Sequence, residues 1–146
     1  MTLTNALESR LGYQLRRASA VMMADLAREL ADLELRPAEV TTLLVIGENP
    51  DCSQTEVGQA LAIKRANMVP IISRLMEHGL VERRRLDGRS HALSLTEQGR
   101  KMAGDAQLRI DRHEARFTEL LGPSDVAALF RCLPTIRTAR DGEDGA

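Results

Sequence analysis

Residues 79–99 read GLVERRRLDGRSHALSLTEQG. Gly79 can take the left-handed conformation that ends a helix, because it has no Cβ to clash. Residues 81–85 and 90–95 read as two strands. Between them Leu86-Asp87-Gly88-Arg89 carries the Asp-Gly pair that favours a tight hairpin turn. Thr96 follows the second strand where it can cap a new helix. This one stretch therefore predicts a helix end, a basic hairpin and a helix start.

The residues before it predict three short helices. Pro37 stands at a first helical position, where its missing N–H costs nothing. Val40, Leu43, Leu44 and Ile46 make a short buried helix that Gly47 and Asn49-Pro50 are expected to stop. Ser53-Gln54-Thr55-Glu56 is a capping box: the Ser53 hydroxyl accepts from the Glu56 amide, and the Glu56 side chain reaches back to the Ser53 amide. A compact helix with Val57, Ala60 and Leu61 follows. After a break near 63–65, another helix runs to Gly79, with Ile72, Leu75, Met76 and either Met68 or Val69 as its buried face. Pro70 interrupts this helix. It removes a donor and crowds the Ala66 carbonyl, a cost of ~3 kcal/mol in an ordinary helix interior, so a bend or a late helix start is expected. Two short helices followed by a basic hairpin make a winged helix-turn-helix.

Helical arms flank this unit. Residues 4–33 read as one helix, with Leu7, Leu11, Leu15, Ala18, Met22, Leu26, Leu30 and Leu33 on one stripe. Residues 97–121 read as a second, with Ala103, Ala106, Ile110, His113, Phe117 and Leu120. Gly122-Pro123 ends it. Ser124 is expected to cap a last helix carrying Val126, Leu129, Phe130, Leu133 and Ile136, kinked at Pro134. A long amphipathic helix at the chain start has too little chain to pack on and calls for a second subunit. The expected fold is mainly α with a small β-hairpin wing. One domain, 1–146, comprises a winged helix-turn-helix (37–96) and helical dimerisation arms (4–33 and 97–140), with a disordered polar tail at 141–146.

Composition narrows the functional classes. The chain has 146 residues, 43% hydrophobic but only 2% aromatic, so its core must be aliphatic. Net charge is −1, yet residues 64–91 hold seven basic side chains against three acidic ones, a local +4 that leaves −5 elsewhere. A basic patch on an acidic body marks either a polyanion site or a solvated surface. Cys52 and Cys132 have no disulfide or zinc spacing. No signal peptide and no apolar run of ~20 residues is seen, so a cytoplasmic protein without membrane contact is expected. His78, His91 and His113 do not cluster with acids or cysteines, and there is no glycine-rich phosphate loop, the glycines falling at caps and turns. Neither an enzyme, a metal nor a cofactor is expected.

The Gly-Leu-Val-x-Arg strand from Gly79, the Asp87-Gly88-Arg89 tip and the Leu93-x-Leu95-Thr96-x-x-Gly99 junction together resemble the MarR family of bacterial transcription factors. Element order and lengths extend the resemblance over essentially the whole chain. It implies a homodimer that binds a pseudo-palindromic duplex operator, mostly as a repressor, and often answers to a small aromatic acid or acyl-CoA. Arg89 matches the wing-tip arginine that enters the narrow minor groove. Asp87 matches the acid that braces it, although Asp87-Gly88 is also plain turn chemistry. Arg84 belongs to the same basic wing. Residues 64–78 match the recognition helix, with Asn67, Pro70, Ile71, Arg74 and His78 away from its buried face. There Arg65 and Asn67 suit guanine and adenine edges. Arg74 suits a phosphate, or is a solvated charge. Ser53 and Thr55 open the supporting helix, whose amides suit a phosphate. Lys64 departs from the small capping residues common at its position, and Pro70 from the usual helix formers.

The family's effector cleft would draw on Tyr13 and Arg17, four apart on the first helix, offering a hydroxyl and a guanidinium to a carboxylate. They read equally as solvated side chains. His113 is a further candidate, or a satisfied core histidine. Two alternatives stay open: a redox-responsive regulator using Cys52, near a helix start that favours a thiolate, and an architectural DNA-binding protein indifferent to small molecules.

Overall fold

The computed structural model describes residues 3–88 and 90–139. The element order is α1 (Leu11–Leu30), a 3₁₀ turn (Ala31–Leu33), α2 (Pro37–Glu48), α3 (Gln54–Ala60), α4 (Arg65–Glu77), β1 (Val81–Arg85), β2 (His91–Leu95), α5 (Glu97–Leu121) and α6 (Pro123–Arg137). The chain divides into two compact units, Met1–Ile110 and Asp111–Ala146. The expected tail at 141–146 lies outside the described residues.

In the first unit, α1 begins at Leu11, not at residue 4. Asn5 explains the difference. Its side-chain oxygen accepts from the Leu7 amide at 3.0 Å, and its amide nitrogen donates to Glu8 and to the Tyr13 hydroxyl. A local side-chain turn of this kind competes with helix, and Arg10 then enters α1 from extended backbone. At the other end the α-helix stops at Leu30, and Leu33 belongs to the 3₁₀ turn, closed by Glu34 at φ 58°.

Pro37 is the first residue of α2, as its chemistry predicts. Gly47 does not stop the helix, which runs on to Glu48. A Cβ at Gly47 would stand 2.8 Å from Leu95 Cδ1, so glycine is there to let β2 pack on α2. Ser53 caps α3 as expected, with both halves of the capping box formed. The α3–α4 turn is short: the Ile63 amide donates to the Gly58 carbonyl at 2.9 Å, and Ala62 takes φ 52°.

The first turn of α4 starts at Arg65, which rules out a late start beyond Pro70. Ala66 and Pro70 are both exposed, so water can serve the carbonyl that loses its helical donor. Met68, Ile72 and Leu75 form the buried face; Val69 and Met76 are exposed at 53% and 38%. Gly79 ends α4 at φ 70°. Its amide donates to Met76 and that of Leu80 to Leu75, the paired bonds of a Schellman cap, with Leu80 buried behind it.

β1 and β2 pair antiparallel, Val81 opposite Leu95 and Arg85 opposite His91. Gly88 adopts φ 56° in the turn. Cys52 forms a bridge to Leu93 on the other side of β2, which pins the wing to the segment before α3. The core is aliphatic: Leu30, Leu43, Ile46, Met68, Ile72, Leu75 and Leu93 are all 1% exposed or less.

Thr96 organises the start of α5. Its hydroxyl accepts from the Gly99 amide at 3.0 Å and donates to the Gly79 carbonyl at 2.6 Å, while its amide donates to Leu80. A Cβ at Gly99 would lie 2.0 Å from the Leu80 carbonyl oxygen. The Gly79-Leu80 and Thr96-x-x-Gly99 ends of the signature thus meet in one crossing. Arg109 donates to the Glu29 carbonyl and to the Asp32 and Asp105 carboxylates, which ties α5 to the end of α1.

The second unit holds the rest of α5 and α6. Gly122, not Ser124, is the residue before α6, and Pro123 takes the first helical position. Gly122 at φ 82° gives the sharp exit that a serine could not. The helix continues through Pro134 to Arg137. His113 is buried and meets Phe117 edge-on, with ring centroids 5.1 Å apart. Leu120, on the apolar stripe, is 80% exposed, and α6 has no buried residue.

Candidate nucleic-acid interface

α3 and α4 with their tight turn, followed by the β1–β2 wing, form a winged helix-turn-helix. An open groove runs between the N-termini of α3 and α4 and the wing, lined by Thr55, Gln59, Lys64, Arg65, Arg83 and His91 among others. Lys64 precedes α4, and Arg65 and Asn67 occupy its first turn; all three side chains are exposed. With the opposite face of α4 buried, these residues point two cations and an amide away from the core.

Ser53 and Thr55 sit at the other side of the groove. Thr55 is exposed. The Ser53 hydroxyl is engaged, donating to Glu56 Oε2 at 2.8 Å and accepting from the Glu56 amide at 3.2 Å. The Ser53 amide and then its hydroxyl hold the Glu56 carboxyl below the ordinary range. The Glu56 carboxylate therefore already serves the Ser53 amide, and the Ser53 hydroxyl the Glu56 amide.

The wing arginines have internal partners. Arg83 donates to Gln54 Oε1 at 3.1 Å, Arg84 to Asp51 Oδ1 at 2.9 Å, and Arg85 to the Gly88 carbonyl. Gln54 and Asp51 flank the start of α3, so Arg83 and Arg84 brace the wing against the helix-turn-helix. Both partners of the Arg84 pair are more than half exposed, and such pairs exchange readily for other anions. Asp87 is exposed at the tip. Arg89, and with it the expected Asp87–Arg89 brace, lies outside the described residues.

Arg74 is differently placed. Its Nε lies 2.6 Å from Oε1 of Glu39, a carboxylate only 2% exposed. The contact is a close charge pair without hydrogen-bond alignment. The other oxygen of Glu39 accepts from the Arg36 amide at 2.9 Å. Glu39 thus caps α2 and holds α4 to it. Sequence reasoning missed Glu39. Its position three residues after Arg36, beside Pro37, was a usable capping signal, but nothing local points to Arg74. Replacing Glu39 by alanine is expected to cost about 1–3 kcal/mol in chemical denaturation. Glu39→Gln, which keeps the acceptor for Arg36, should cost less.

The effector candidates fall in different units. In the first, Arg17 donates to the Tyr13 hydroxyl at 3.0 Å, and the guanidinium groups of Arg16 and Arg17 lie 5.6 and 5.7 Å from the Tyr13 ring centre. His113 belongs to the second unit. Burial pushes the Cys52 thiol up, and Glu56 and Asp51 push the same way against a backbone hydrogen bond, the opposite of what a reactive thiolate needs. Among the described residues no helix is long and apolar enough to cross a membrane.

Comparison with known proteins agrees with this architecture. The family model for the MarR family matches residues 33–90. The structure of the transcriptional repressor CouR bound to a 23-mer DNA duplex superposes with a TM-score of 0.88 at 38% identity, covering 94% of this chain and 99% of CouR. CouR bound to p-coumaroyl-CoA gives 0.86 at 36% identity, covering 94% and 98%. An HTH-type transcriptional repressor of Mycobacterium tuberculosis is 28% identical over 111 residues, 75% of this chain and 80% of that protein. The fold and its basic groove define a winged helix-turn-helix transcriptional regulator. The chain belongs to the MarR family, whose members are dimers.

Proposed function

We propose that the protein is a cytoplasmic repressor that binds a pseudo-palindromic duplex operator as a homodimer and is released by an aromatic acid or its acyl-CoA thioester. The observation that carries the DNA reading is the exposed Lys64, Arg65 and Asn67 cluster at the start of α4, of which Lys64 and Arg65 open on the groove beside Arg83. Arg65 suits guanine and Asn67 adenine in the major groove. Lys64, Thr55 and the exposed Arg84 serve phosphates, while Arg89, braced by Asp87, enters the minor groove from the wing tip. Similarity to CouR on DNA supports the same reading. Arg74, tied to Glu39, contributes through the placement of α4.

Homodimerisation answers the apolar surface that each unit leaves exposed. Leu11, Val21 and Leu108 in the first unit are 69%, 59% and 65% exposed, and Leu120 and Phe130 in the second are 80% and 71% exposed. Such side chains on long helices belong in a subunit interface.

The Tyr13–Arg17 pair offers a polar end to the effector's carboxyl or thioester. Similarity to CouR bound to p-coumaroyl-CoA supports this effector class. A gel-shift assay on the gene's own upstream region, repeated with p-coumaroyl-CoA and a panel of aromatic acids, tests the whole reading. A specific complex dissolved by one of these compounds is expected; binding equally tight to unrelated DNA at the same salt would refute it. Arg17→Ala should raise the effector concentration needed for release about tenfold while sparing DNA affinity in its absence. A normal response would place the effector elsewhere.

A further inference from the structure

The first two turns of α4 carry an apolar patch where the helix should meet DNA, followed on the same face by Ser73 and Glu77. Ala66, Val69 and Pro70 are spaced to share one face, opposite Met68, Ile72 and Leu75, and all three are exposed. The fold gains nothing visible from them. Val and Pro are poorer helix formers than the Lys, Glu or Ala usual on an exposed helix, and Pro70 also takes a donor from the Ala66 carbonyl. None of the three can donate or accept a side-chain hydrogen bond. Yet they stand next to Lys64, Arg65 and Asn67, which can.

In the major groove, one base-edge group is apolar: the C5-methyl of thymine. We infer that Ala66, Val69 and Pro70 read thymine methyl groups, so that each operator half-site carries thymines where this face of α4 meets it. Their shortness serves the same end, since it lets the helix approach the bases closely. The basic and amide side chains beside them supply phosphate and hydrogen-bond contacts, so the face is both charge-matched and shape-matched to a thymine-bearing groove. This rests on the proposed entry of α4 into the major groove.

The test uses the full-length protein and a pool of random-sequence duplexes, from which bound sites are selected. Thymines in the selected half-sites are then replaced by uracil one at a time, which removes only the methyl group. Affinity is read by fluorescence anisotropy at fixed salt. Binding about fourfold weaker for each methyl removed from the α4 face is expected. Val69→Ser and Pro70→Ser, each at an exposed position and checked by thermal melting, should bind the thymine and uracil forms of the affected position alike. Equal wild-type binding of thymine and uracil duplexes at every position, or an undiminished difference in both variants, would overturn the inference while leaving specific DNA binding intact. Selection that yields no consensus would instead remove the operator reading, and this inference with it.

Discussion

Replacing Gly99 by alanine is expected to destabilise the fold by about 3 kcal/mol or more. The new Cβ would stand 2.0 Å from the Leu80 oxygen and 2.9 Å from its carbonyl carbon. These are backbone atoms and cannot rotate away. Leu80 is held from both sides, its amide donating to Leu75 and its carbonyl accepting from Thr96. Relief therefore requires opening the cap of α4 or moving the start of α5. Against a total of ~5–15 kcal/mol for an ordinary domain, the loss is large, and the melting temperature should fall by about 10 °C. Gly104→Ala is the matched control. A Cβ there meets nothing within 4 Å, so the helix should gain about 0.5–1 kcal/mol. Similar midpoints for the two variants in denaturant titration would show that the crossing at Leu80 is looser than described.

Removing Arg65 and Arg89 together is expected to weaken operator binding by about 30-fold to 20,000-fold, from ~1–3 kcal/mol for each arginine. In the proposed reading Arg65 enters the major groove and Arg89 the minor groove, so one double variant takes a guanidinium from each. Arg89→Ala alone should weaken binding more than Asp87→Ala, which on the proposed reading removes only a brace. Anisotropy titrations over a range of salt separate the contributions: the dependence on salt flattens by about one unit for each phosphate that no longer has a cation beside it. Unchanged affinity in a folded, dimeric double variant would place the DNA-binding surface elsewhere.

Local chemistry made much of this fold readable. The Ser53–Glu56 box, the Gly79 cap, the Asp-Gly turn and the Thr96 cap each depend on residues within five positions of one another. The start of α1 was not readable in the same way. Leu7 fits the apolar stripe, but the Asn5 side chain binds the Leu7 amide and turns the chain before the helix begins. On α4 the pattern left Met68 and Val69 equivalent, and only packing chose Met68. Gly47, Gly58 and Gly99 were expected at caps or turns, yet stand inside helices where another element approaches closely. For the candidate interface, the residue types of Lys64, Arg65 and Asn67 were legible. The partners that occupy Arg74, Arg83 and Arg84 were not, because Glu39, Gln54 and Asp51 lie about 30 residues or more away along the chain. A short pattern carries no information across that separation.

The Cys52–Leu93 bridge has a bearing on how the protein behaves at high concentration. With β2 flanked by Cys52 on one side and β1 on the other, β1 is left as the outer strand. An outer strand is a template on which a second chain can add itself, and many proteins aggregate by that route. β1 reads Val81-Glu82-Arg83-Arg84-Arg85, and all but Val81 are exposed. A second wing laid alongside would bring two rows of guanidinium groups into register, and like charges directly opposite one another repel. The cations that make the wing attractive to a polyanion also keep one wing from polymerising with the next.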